Sequence, residues 1–211
     1  MTPILENARP GDPRWAIAFL DLAHGLVMAG AKGKLIERFT DLSHRRVTDI
    51  YRALRGIAPP SGPVMQGSVR YFTAPSKRTS TAWSIQCAIF LACYERMGKV
   101  TTMPAHRGWL LLAAFNSYLS ITAKLHETTS VKRLDINQAY ALLSYCGFMT
   151  MASGAELQLT LCPNCSIKYP VVAKEALDSQ ACPVCTINAN SRRLSNMGCP
   201  PDASTTSPQT Q

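Results

Sequence analysis

The sequence predicts a mainly α-helical protein that ends in a small four-cysteine module of the zinc-ribbon kind, and three observations carry that prediction. Apolar residues recur at helical spacing from Trp15 to Tyr145, the period changes to two at Leu157, and two Cys-x-x-Cys pairs, Cys162–Cys165 and Cys182–Cys185, stand sixteen residues apart. The 211 residues suffice for a helical domain over 1–155 that contains a helix-turn-helix-like segment, followed by a metal module over 156–195. Residues 196–211 are rich in Pro, Ser, Thr and Gln, have little to bury, and are expected to be disordered.

The elements follow in order. Asp12 and Pro13 read as an N-cap with proline at the first helical position, and Trp15, Phe19, Leu22 and Leu26 carry the first helix toward Gly30. A short helix over 34–39 and a turn at Thr40-Asp41-Leu42 lead to Ser43, the N-cap of a helix that runs to Leu54 and stops at Gly56. The proline-rich stretch 57–63 cannot continue a helix and reads as a stiff connector, and Val69 to Phe72 is too short to classify. Helical patterns return over 79–97, 105–125 and 135–149, the last opened by a capping box of Asp135 and Gln138. Ile89, Tyr94, Leu111, Phe115, Leu119, Leu142 and Tyr145 are the core candidates of this bundle. Leu157, Leu159 and Leu161 then alternate with polar residues into the first cysteine pair, and Ile167 and Tyr169 alternate out of it, as in a two-stranded ribbon.

Paired thiolates at this spacing are what a tetrahedral zinc site needs, because each Cys-x-x-Cys turn aims two sulfurs at one ion. Four protein ligands leave no open position, so one structural Zn2+ per chain is expected on Cys162, Cys165, Cys182 and Cys185. A thioredoxin-like pair is the competing reading, but it requires one reactive pair beside a βαβ pattern. Cys87, Cys93 and Cys146 lie in apolar helical patterns and read as small buried hydrophobes.

Lys and Arg number 22 against 13 Asp and Glu, a net charge of +9 that suits a phosphate-bearing partner. The segment from Lys34 to Arg55 has helix-turn-helix proportions. Ile36 and Phe39 face inward from its first helix, Leu42 packs in the turn, and Val47, Ile50 and Leu54 line the second. Ser43, His44, Arg45 and Arg46 then fall in the turn that approaches base edges when such a helix enters a major groove. Lys32, Lys34, Arg52 and Arg55 are candidates for phosphate contacts, and Lys168, Arg192 and Arg193 extend the set into the metal module. An ordinary helical hairpin with solvated arginines is the alternative.

No glycine loop for phosphates, HExxH or GxSxG is present, and the histidines stand singly, so a binding protein is predicted and not an enzyme. No segment is long and apolar enough for a bilayer, since Asp21 and His24 break the first apolar run. Glu6, Arg9, Pro10 and Asp12 interrupt any secretory pattern, which leads to a cytoplasmic expectation.

Tyr51-Arg52-Ala53-Leu54-Arg55-Gly56 followed by Pro59-Pro60-Ser61-Gly62, the helical middle, and the spacing of the two cysteine pairs together resemble the FlhC family of bacterial flagellar transcriptional regulators. The resemblance covers roughly residues 15 to 195. It implies a DNA-binding activator that joins FlhD in a heterohexamer, binds promoters of flagellar operons and recruits RNA polymerase, with zinc on the same four cysteines. The stretch from Met65 to Thr81, with Arg70, Lys77 and Arg78, departs from the family pattern, and the basic cluster after the second pair is reduced to Arg192 and Arg193. A zinc-containing adaptor that binds proteins without touching DNA is the other reading the residues allow.

Overall fold

The computed structural model describes residues 13–64, 68–73, 81–97, 104–128, 133–149, 154–174 and 182–189. Six α-helices come first: α1 Pro13–Met28, α2 Gly33–Thr40, α3 His44–Arg55, α4 Thr81–Arg96, α5 Pro104–Thr128 and α6 Ile136–Tyr145. A 3-10 turn at Val69–Tyr71 precedes α4, and strands β1 Leu157–Leu161 and β2 Lys168–Val172 follow α6. A seventh helix, α7, spans 183–189. The expected Asp12 cap and the 196–211 stretch expected to be disordered lie outside the described residues.

One apolar core joins α1 to α6. Its centre is α6, where every residue from Ile136 to Ser144 except Asn137 is buried, as expected of a short helix with too few polar residues to form an outer face. The capping box forms as predicted: Asp135 Oδ1 accepts from Gln138 N at 2.9 Å and Gln138 Oε1 accepts from Asp135 N at 3.0 Å. The helix ends four residues earlier than its pattern suggests, because Gly147 turns the chain with φ of 78°. Of the core candidates, Tyr94, Leu111, Phe115 and Leu142 are buried, while Ile89, Leu119 and Tyr145 are half-buried at its edge.

Close helix contacts rest on two glycines. A Cβ at Gly25 of α1 would lie 2.4 Å from Leu112 Cδ2, and one at Gly108 of α5 would lie 2.9 Å from Leu22 and Phe39. Some polar groups inside the core are paired across elements, while Tyr94 OH, Tyr140 OH, Trp109 Nε1 and Gln86 Nε2 are buried without a hydrogen-bond partner among the described residues. Tyr118 OH donates to Gln86 Oε1 at 2.6 Å and accepts from Leu134 N at 3.0 Å. The 3-10 turn is fastened to α4 by Trp83 Nε1, which donates to Tyr71 O at 2.7 Å, and a Ser84 Oγ donates to Thr73 O at 2.7 Å. Among the described residues no helix is long and apolar enough to cross a membrane.

β1 and β2 pair antiparallel with Leu157 opposite Val172 and Leu161 opposite Lys168. Leu157, Leu159 and Val172 pack on the helical core, whereas Leu161 is exposed. Tyr169 and Val171 form a second cluster with Ala88 of α4 and the cysteines. Thus α4 carries the helical core on one side and the cysteine module on another.

Candidate functional site

The first cysteine pair occupies the loop between the strands. Ser166 N donates to Cys162 O at 2.9 Å and Cys162 N donates to Ile167 O at 3.0 Å, a tight knuckle that puts Ser166 at a φ of 57°. The second pair opens α7, where Thr186 N and Oγ1 both donate to Cys182 O, at 3.0 and 2.9 Å. A helix start and a hairpin tip therefore face each other. The four Sγ atoms all lie within 4.8 Å of one another, with Cys162 and Cys185 at 3.7 Å and Cys165 and Cys182 at 3.6 Å.

Those distances fit a metal. A tetrahedron with metal–sulfur bonds of about 2.3 Å has edges of about 3.8 Å. Local electrostatics are set for thiolate: the amide N–H groups of Cys165 and then Asn164 draw the Cys162 thiol down to about 7. Hydrogen bonding to the Cys162 sulfur, and next to Cys165, pushes Cys185 up to about 12. Burial pushes the Cys182 thiol up as well, against amides of Cys185 and Val184 that favour its thiolate. A divalent cation at the centre would favour the thiolate form and let all four become ligands.

The other predicted residues collect on α2 and α3. Ser43 caps α3 as expected, its side chain accepting from Arg46 N at 3.4 Å, and Gly56 closes the helix with φ of 68°. Ile36, Phe39, Val47 and Ile50 are buried and Leu42 is half-buried, as a helix-turn-helix requires. Leu54 departs from the expectation with 41% exposure. Tyr51 fills the inner face instead, fully buried, with its hydroxyl donating to Ala31 O. Lys34, Ser43, His44, Arg45, Arg46, Arg52 and Arg55 are all exposed. Helical spacing lines up Arg45, Asp49 and Arg52 in one stripe, so an acidic side chain stands between two cations.

Three of the candidate Lys and Arg residues have structural partners among the described residues. Lys32 is buried and its Nζ donates to Pro63 O at 2.8 Å, holding the proline connector against α2. Arg55 Nη1 donates to Val27 O at 3.3 Å near the end of α1. Lys168 Nζ meets Glu95 Oε1 and Oε2 at 2.9 and 3.1 Å, tying β2 to α4. Arg192 and Arg193 lie outside the described residues. Sequence reasoning missed Ala88, Glu95 and Thr186, since contacts with residues far along the chain, or with a seven-residue helix, leave no periodic signal.

The site thus combines an exposed basic helix start on a helical body with four convergent cysteine sulfurs. Comparison with known sequences gives the family. The flagellar transcriptional activator (FlhC) family matches residues 17–196, and the chain belongs to that family. It is 27% identical over 172 residues to the flagellar transcriptional regulator FlhC of Cupriavidus pinatubonensis, covering 82% of this chain and 73% of that protein. The regulator of the same name from Variovorax paradoxus is 24% identical over 168 residues, covering 79% and 73% of the two chains. That of Erwinia tasmaniensis is 23% identical over 168 residues, covering 79% and 84%.

Proposed function

We propose that this chain regulates transcription by binding promoter duplexes of flagellar operons, in a heterohexamer with FlhD that recruits RNA polymerase in the cytoplasm. One observation supports the DNA-binding part most directly: the first turn of α3 presents Ser43, His44, Arg45 and Arg46 to solvent, in a family of transcriptional regulators. No chemical step is required, because placing polymerase on a promoter needs only binding energy on two surfaces. Phosphate contacts set register, and side chains at the helix start read bases.

Cys162, Cys165, Cys182 and Cys185 hold one Zn2+ per chain in this reading. Soft thiolate donors in a tetrahedral set suit that ion, and the site has a structural role because four protein ligands complete its coordination. Zinc supplies the cross-link between hairpin and α7 that so small an apolar cluster does not supply alone.

The test is co-purification with FlhD followed by footprinting on a flagellar promoter, with metal analysis of the same material. A protected region that requires FlhD, together with one zinc per chain, supports the proposal. Partners recovered without any protection would favour the protein-only adaptor.

A further inference from the structure

Between the start of α2, the start of α3 and the proline connector lies a cleft of about 330 Å³. We propose that it seats one phosphodiester of duplex DNA and so fixes how the first turn of α3 lies in the groove; this rests on the DNA-binding reading above. The volume is at the small end of ligand sites, which run to about 300–1,000 Å³, and a single backbone unit fits within it.

The walls differ in character. Pro59 and Pro60 form one side, where proline has no N–H to satisfy and little freedom to close the gap. Lys32 fixes that side by tying the proline connector to the start of α2 through its 2.8 Å bond to Pro63 O. Gly33 forms part of the floor, and a Cβ there would come within 3.4 Å of Pro59 Cβ. Opposite stand Lys34 and His44, both exposed.

Lys34 supplies the free positive charge of this cleft, since the His44 ring is paired with a carboxylate. Glu37 is the nearby carboxylate, and its Oε1 is engaged by His44 Nδ1 at 2.8 Å, which leaves the other ring nitrogen of His44 without a partner among the described residues. Lys34 has no acceptor there either, whereas Lys32 and Arg55 are taken up by backbone carbonyls. The cap residue of α2 offers no side-chain acceptor. A phosphate oxygen therefore meets a cation, an imidazole and a helix start at one place. His44 lies on the turn that carries Arg45 and Arg46, so the cleft is continuous with the exposed basic face, and the net charge of +9 favours a polyanion over a small free anion.

Phosphate-by-phosphate neutralisation tests this. Promoter duplexes carrying a single neutral methylphosphonate at each backbone position in turn are bound by the full chain in complex with FlhD, in wild-type form and as Lys34→Gln. Wild type should lose about tenfold in affinity at one phosphate per half-site, Lys34→Gln should bind the native duplex about tenfold more weakly and lose nothing further at that phosphate, and its salt slope should fall by about one contact. Ser61→Trp, which fills the cleft without changing charge, should abolish the same sensitivity. If both variants retain the wild-type methylphosphonate profile, the cleft is overturned while DNA binding stands. If wild type binds no promoter duplex with FlhD present, both readings fall.

Discussion

Lys32 and Lys34 sit two positions apart and meet different fates: one is buried against Pro63 O and the other faces solvent. Charge alone does not mark a nucleic-acid contact; the neighbours decide. If the first turn of α3 reads bases as proposed, Arg45→Ala should cost about 1–3 kcal/mol and relax preference at one base pair, as measured by affinity across operator variants. Gly108 lies where α5 meets Leu22 and Phe39, so Gly108→Ala should overpack the core and cost about 1–3 kcal/mol in urea unfolding. Buried thiols add a pH effect. Burial holds Cys146 at about 12 and raises Cys87 too, so folding keeps protons that the unfolded chain releases above about 9, and stability falls as pH rises past that value. Urea midpoints measured from about pH 8 to pH 11 should decline, and Cys146→Ala should lessen the decline.

At the scale of elements, caps were legible and inner faces less so. Ser43, Gly56, Asp135 and Gln138 act on residues within four positions, so sequence alone located them. Whether Leu54 or Tyr51 lines α3's inner face depends on Ala31, twenty residues away, and no helical period contains that. The cysteine spacing disclosed the sulfur set but neither the helix that begins at it nor α4 beneath it. Ser43→Ala should weaken α3 by about 1 kcal/mol, and a lower thermal midpoint should report it. Removing the metal with a chelator should release the ribbon and α7 first. Amide exchange should then rise across 157–172 and 183–189 while α6, at the centre of the core, stays protected.

Among the described residues, α3 carries four exposed arginines, Arg45, Arg46, Arg52 and Arg55, and Lys34 is exposed at the start of α2. If that surface meets duplex DNA, log affinity should fall linearly with log salt concentration, and by more than the one contact assigned to Lys34. A flat titration of the FlhD complex would contradict it. The pairing of helices with a four-cysteine module was readable in the changing period and the cysteine spacing, whereas the net charge of +9 suits a polyanionic partner without identifying one. What the sequence did not disclose was how the two parts meet: Lys168 and Glu95 are 73 residues apart.

That meeting has a practical corollary. Ala88 lies under the sulfurs while its neighbour Cys87 points into the bundle, so a single helix serves as party wall for two rooms. Shortening the chain ahead of Leu157 would bare one side of the partition and orphan the Glu95 carboxylate. The bundle has no clean seam there, since Leu157 itself belongs to the helical core.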